Sequence, residues 1–238
     1  MTNPAAPLID IQGLVKNYQG LRPLRMQALT VNPGEVIAID GLDAIAAETL
    51  VHLITGATLP DVGDVSLFGR NTRSITDGQA WLNSLDQVGM ITARGILIDA
   101  FTVLQNVAMS LTLDVDPIDP RFLPEAGALA REVGLDAGGF DLPTGRTTAD
   151  IKMRVHLARA LALGPRVLIA EHPSATLPRE SVPAFAADLA RVARTRGLGL
   201  LALTSDDAFA RALGGTRLVL HGGSGDLKPV SLLKKLFQ

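Results

Sequence analysis

The chain contains no cysteine, which excludes disulfides and thiolate-bound metal. His52, His156 and His221 are scattered with no ligand spacing, which argues against a histidine metal site. Neither sign of charge is in excess: the formal net charge is −2 and there is no basic stripe, so no nucleic-acid partner is expected. Charged residues make up 19% of the chain, below the usual ~25%, which points to a partner covering part of the surface. No apolar run reaches the ~18 residues that span a bilayer, and Met1–Ala6 is short and polar for a signal peptide. The expectation from these absences is a soluble, cytoplasmic chain. What is present is length: 238 residues, 47% of them hydrophobic, suffice for a large core in one α/β domain or in one domain with a smaller lobe.

No internal repeat or low-complexity segment interrupts the chain. Leu8 to Leu14 alternates apolar and polar residues as a half-buried strand does, and Leu24 to Val31 reads as a second strand. Leu59 to Gly69 reads as a turn and a short strand, so an antiparallel β lobe is expected near the N-terminus. Val88 to Ile91 is a further strand. Thr102 to about Val133 turns helical around a Pro/Asp-rich loop from Asp114 to Pro124, and Gly134 to Gly145 is irregular. A helix from Asp150 stops at Gly164-Pro165. Val167–Ala170 and Gly199–Leu203 are apolar throughout, as central strands are. Pro183–Thr195 and Asp206–Leu213 read as helices, and Arg217–Leu220 as the last strand. All-apolar strands alternating with helices predict a parallel sheet covered on both faces. Residues ~95–160 are too long and too helical for one crossover and read as an inserted helical subdomain of a single 1–238 domain.

The stretch that organises the rest is Gly34 to Gly56. Val36–Ile39 is a buried strand behind a Pro-Gly turn; from Ala44 apolar residues fall at helical spacing, with Gly56 where the helix should end. A strand entering a helix through a turn at Gly41 is the geometry of a phosphate-binding loop, whose amide N–H groups face an anion. A working loop reads G-x-x-x-x-G-K-[ST]. Counted from Gly41, the second glycine is Ala46, the lysine is Ala47, the hydroxyl is Glu48, and Asp43 lies inside the loop. Two carboxylates are expected where a polyphosphate would sit, and a carboxylate near a helix N-terminus stabilises the dipole itself.

From Leu8 to Gly223 the chain resembles the nucleotide-binding subunits of ABC transporters. The resemblance is carried by PGEVIAIDG, LITGATLPDVGDVSLFG, FTVLQNVAMSL, RVHLARALALGPRVLIAEHPSATL and LALTSDDAFARALGGTRLVLHGG, and the shorter exporter subunits are the nearest in kind. It implies a P-loop NTPase-like α/β fold: a mostly parallel sheet, an antiparallel β lobe and an inserted helical subdomain. It also assigns positions. The lysine is Ala47 and the magnesium-binding hydroxyl Glu48, with Thr49 beside them; the glutamine linking magnesium to the membrane subunit is Ala93. The magnesium-holding aspartate is Glu171, an acid long enough to hold a metal-bound water. The general base is His172 and the switch histidine Ser205. The signature loop is Thr147-Thr148-Ala149-Asp150-Ile151, in which only a hydroxyl survives, at Thr148, and Asp150, after Ala149, puts a negative charge where a glycine N–H should approach phosphate. The loop after the strand ends in Pro178 rather than an aspartate. Tyr18, the only tyrosine, matches the aromatic that stacks on adenine, and Gly41 matches the loop's first glycine.

With lysine, glutamine, base, signature and switch all changed, the electrostatic machinery of phosphoryl transfer is missing. A neutral imidazole at position 172 is a competent base in isolation but has no aligned phosphate to act on, so His172 is expected to be a hydrogen-bonded structural residue. The resemblance then implies a non-catalytic subunit with no cofactor. Its expected partners are a membrane permease and either an intact ATP-binding subunit or a second copy, on the inner face of the membrane. In the family's head-to-tail dimer each site joins one phosphate loop to the other chain's signature loop. Both halves are altered here, so a partner would have to tolerate Thr148-Ala149-Asp150 or the pair would clamp ATP and turn over slowly. Two alternatives stand beside this reading: a weak Mg-ATP-binding and hydrolysing subunit using Tyr18, Gly41 and Glu171, and a scaffold or regulator that has left transport. Docking on the permease is expected from Ala93 to Asn106, through Ala93, Ile98 and Phe101.

Overall fold

The structure is a computed structural model that describes residues 6–92 and 94–230. Two sheets share the strands. β1 (Ile9–Lys16), β2 (Leu24–Val31), β4 (Val62–Leu67) and β5 (Arg70–Asn71) form an antiparallel sheet in the order β2-β1-β4-β5. The second sheet runs β10-β9-β3-β8-β7-β6, from β10 (Asp226–Pro229), β9 (Thr216–His221), β3 (Val36–Asp40), β8 (Gly199–Leu203), β7 (Val167–Glu171) and β6 (Val88–Thr92). Its pairings are parallel except the terminal β9–β10 hairpin.

Both faces of this sheet are covered, and the period-2 alternation of strand side chains sorts them. Ile37, Ile39, Val167, Ile169, Leu201 and Leu203 face a core shared with the antiparallel lobe and with α1 (Ala44–Ile54). Val36, Ala38, Leu168, Ala170, Leu200 and Ala202 face the opposite core. That second core is built with α3 (Val103–Ala108), α4 (Leu123–Glu132), α5 (Ala149–Leu161), α6 (Val182–Arg196) and α7 (Asp207–Leu213). α6 ends on Gly197 in the left-handed conformation (φ 66°), whereas α5 ends at Leu161, just short of the expected stop at Gly164-Pro165. The chain between β6 and β7 carries α3, α4, two short 3₁₀ turns and α5, all packed on this side.

Three elements differ from the expectation. α2 (Gly78–Leu85) is not among the expected elements: it is short, and none of its side chains is fully buried. It is held by an Asp77 cap and by Trp81, whose Nε1 donates to the carbonyl of Thr55 at 2.9 Å. β5 is only two residues long. Arg217–Leu220 is not the last strand: β10 follows it through a Gly-rich turn, and its polar DLKP sequence suits an exposed edge rather than a core. This hairpin ties the sheets together, since the Gln27 amide N–H donates to the carbonyl of Gly225 at 2.8 Å.

Candidate functional site

Parallel α/β sheets gather their ligand sites at the C-terminal strand ends. Here β3 ends at Asp40, β7 at Glu171 and β8 at Leu203. Gly41 follows β3 with φ +93°, and a Cβ there would lie 2.5 Å from the carbonyl oxygen of Leu220 on β9. Glycine is therefore required at this turn by close backbone packing, independently of any phosphate. Its N–H donates to its neighbour's carboxylate, Asp40 Oδ1, at 2.6 Å.

The turn is short. α1 already starts at Ala44, so positions that belong to the loop in the phosphate-binding pattern are helical here. Asp43 is the N-cap, its Oδ1 accepting from the Ala46 N–H at 2.8 Å. The carboxylate foreseen inside the loop therefore serves the first turn of α1, as N-cap acids do. Ala46 and Ala47 are buried, Ala47 completely, in the core shared with the β lobe. The Thr49 hydroxyl is used by the helix, donating to the carbonyl of Ile45 at 2.7 Å. Tyr18 packs against the same core and folds over Gly20, where a Cβ would sit 2.4 Å from its Cζ. Burial, and secondarily the Asp43 carboxylate, raise the Tyr18 pKa.

Glu48 does not join Asp43 at the loop. It pairs with Arg94, Oε2 lying 2.6 Å from Nη1. Arg94 Nη2 donates to both oxygens of Glu171, each at 2.7 Å. Glu171 is 7% exposed, and its charge is matched by this guanidinium. Hydrogen bonding to Glu48 and also Glu171 raises the Arg94 pKa. Arg94 was not singled out in the sequence, since nothing local to a turn residue says it will reach a strand end 77 positions away. The triad walls one end of a largely apolar cavity of about 280 Å³, which Val51, His52, Trp81, Leu85 and Met90 also line.

The remaining positions separate. Ala93 lies outside the described residues. His172 has φ +42°, its N–H donates to the carbonyl of Leu203 at 2.8 Å, and its Nε2 is buried with no hydrogen-bond partner among the described residues. The hydrogen-bonded side chain expected there is not formed at that atom, because the local backbone, anchored to β8, sets where the ring lies. Ser205 is exposed, beside a groove at the ends of β3 and β8 lined by Asp40, Asp207 and Arg217. Thr148 caps α5, its hydroxyl accepting from the Ile151 N–H at 3.4 Å. Asp150 accepts from Arg154 Nε at 2.9 Å. Arg154 also donates to Asp188 Oδ2 at 2.8 Å and to the carbonyl of Val133 at 2.6 Å. Asp150 Oδ2 thus belongs to a part-buried network joining α5 to α6, and Ala149 begins α5.

At the surface sequel to β6, Ile96 is 82% and Ile98 37% exposed, while Phe101 is partly buried against the helical core. The segment is ordered by Asn106, which is fully buried. Its Oδ1 accepts from the Ile98 N–H at 2.8 Å, and its Nδ2 donates to the carbonyl of Ile98 at 3.0 Å and to Thr144 Oγ1 at 2.7 Å. Among the described residues no group of three or more His, Cys, Asp or Glu is placed to hold a metal ion.

A strand–turn–helix at the end of β3, inside a sheet of this order with an antiparallel lobe beside it, defines a P-loop NTPase-like α/β protein of the ABC ATPase type. Solved structures agree on the fold. The dimeric ATP-binding cassette MJ0796 bound to ADP and Pi superposes with TM-score 0.70 at 20% identity, covering 92% of this chain and 96% of that one. The cbiO1 protein of Clostridium perfringens superposes with TM-score 0.75 at 20% identity, covering 93% and 87%. No protein-family model matches the chain.

Sequence relatives go further. The lipoprotein-releasing system ATP-binding protein LolD of Psychrobacter arcticus is 30% identical over 195 residues, 82% of this chain and 85% of LolD. LolD of Nitratidesulfovibrio vulgaris is 29% identical over 231 residues, 94% and 96% of the two chains. The methionine import ATP-binding protein MetN of Cereibacter sphaeroides is 32% identical over 195 residues, of which the match spans 54% of MetN. The chain belongs to the family of ABC transporter ATP-binding subunits.

Proposed function

We propose that this chain is a non-catalytic ATP-binding-cassette subunit, a pseudo-ATPase with a degenerate phosphate loop. It acts through shape, as the partner of an intact ATP-binding subunit and of a membrane permease. The observation that carries the reading is the N-terminus of α1. Its Ala46 amide is capped by Asp43, and the position of the phosphate-neutralising lysine is an alanine buried in the core. A polyphosphate approaching that turn meets a carboxylate and no lysine, and Arg94 is already paired with Glu48 and Glu171. The residues present do not fit Mg-ATP, and no step of phosphoryl transfer is assigned to them.

In this reading residues 95–160 are the helical subdomain, and Ile98, with Ile96 and Phe101 around it, faces the permease. The names of the relatives support the partnership: lipoprotein release and methionine import are transport processes served by ATP-binding proteins. Among the described residues no helix is long and apolar enough to cross a membrane. The subunit would then lie against the inner face through the permease. The paired ATP-binding chain is an intact subunit rather than a second copy, since two copies would place two altered loops in each composite site.

Equilibrium binding of Mg-ATP to the purified protein, by calorimetry and thermal shift up to millimolar nucleotide, tests the central claim. No heat and no shift are expected. Micromolar binding would overturn the pseudo-ATPase reading in favour of a weak ATPase.

A further inference from the structure

In P-loop NTPases the loop hydroxyl and the acid near a strand end are the protein's two contacts to Mg²⁺. In this chain those positions are Glu48 on α1 and Glu171 at the end of β7, and the side chain lying between them is Arg94. The arrangement is that of a cation site in which the cation belongs to the chain. Glu171 is buried and would be repelled by a second carboxylate nearby; Arg94 neutralises that repulsion by meeting Glu48 with one terminal nitrogen and Glu171 with the other. A guanidinium is planar, charged at every accessible pH and suited to carboxylates. Unlike a bound metal, it cannot dissociate into solution.

We propose that Arg94 is a built-in replacement for the divalent cation. It joins α1, the end of β7 and the turn after β6 into one arrangement with neither metal nor nucleotide, and it excludes a divalent ion from between Glu48 and Glu171. The turn after β6 leads into Ile96 and Ile98, so the exposed apolar segment is held to the sheet by a permanent charge. A metal-dependent cassette would make that link only when loaded. The inference concerns this triad alone and stands whether or not the chain pairs with an intact subunit.

Mn²⁺ is the probe, titrated without nucleotide into the full chain and read by electron paramagnetic resonance of the free ion and by the melting midpoint. The wild-type protein is expected to bind no Mn²⁺ at millimolar concentration and to keep its midpoint. Arg94→Ala should melt earlier, gain one Mn²⁺ site at least about tenfold tighter than anything in wild type, equivalent to about 1.4 kcal/mol, and regain its midpoint as Mn²⁺ is added. Arg94→Ala combined with Glu171→Gln should lose that site. If Arg94→Ala does not fold unaided, refolding in Mn²⁺ supports the proposal and failure to refold overturns it. It is also overturned if wild type binds Mn²⁺ at a site that Glu171→Gln removes, or if a folded Arg94→Ala binds none.

Discussion

Ala47 and Gly41 show how the same motif position can be held by packing rather than by chemistry. Gly41 has the backbone freedom a phosphate loop needs, yet the group it makes room for is the β9 carbonyl of Leu220. Ala47 stands where the lysine would be, with its side chain fully buried between α1 and the β lobe. Restoring the lysine is therefore not expected to restore a site. Ala47→Lys is expected to destabilise the protein by ~3 kcal/mol through burial of an unpaired charge and to produce no ATP hydrolysis. Denaturant unfolding and a phosphate-release assay check the two parts, and a stable Ala47→Lys protein with ATPase activity would contradict both.

α5 is fastened to its surroundings on either side of its middle and by different forces. On one side Arg154 joins Asp150, Asp188 and the Val133 carbonyl, a part-buried network whose removal leaves charges without partners. Further along, His156 is pressed against Gly95, where a Cβ would lie 2.7 Å from its Cε1. Burial first, and the Arg159 charge second, lower the His156 pKa from 6.5 to about 4. Asp99 and Lys152 line the same groove. On acidification the unfolded chain takes up this proton before the folded one does. The contribution of His156 to stability is thus complete above pH 6.5 and is lost as the pH falls toward 4. Solvent at its partly exposed edge screens the effect to about 1–2 kcal/mol. Denaturant midpoints measured across this window should fall more steeply for wild type than for His156→Gln; equal slopes would remove His156 as the cause.

The molecule as a whole carries two cores on one sheet, which leaves its exposed apolar residues as the surface open to other chains. Met90, Ile96 and Leu163 are each more than half exposed and line one groove between β6 and α5. Ile98 lies nearby on the same segment. Phe101 is packed against the helical core, so changes there would mix docking with stability. The double substitution Ile96→Asp, Ile98→Asp is expected to reduce co-purification with the permease at least about tenfold. The thermal midpoint should stay within ~2 °C of wild type, as surface changes usually allow. Unchanged co-purification would move the docking face elsewhere.

Much of this architecture was legible in the chain before folding. The β2 and β8 strands run between the residues their apolar patterns suggest, and α1, α5 and α6 follow their helical spacing and stop signals, because local periodicity and local caps act over a few residues. The short α2 and the polar β10 were not legible, since each is held in place by a distant partner: Trp81 by Thr55, and the β9–β10 turn by Gln27 on β2. The altered motif residues could likewise be counted along the sequence. What their side chains do could not. Asp43 as a cap, Asp150 turned to Arg154, and Arg94 set between Glu48 and Glu171 are outcomes of where the folded strands and helices bring charges within hydrogen-bond reach. Sequence spacing sets which residues can form an element, but a long side chain chooses its partner only when the sheet has closed and the alternatives in water are gone.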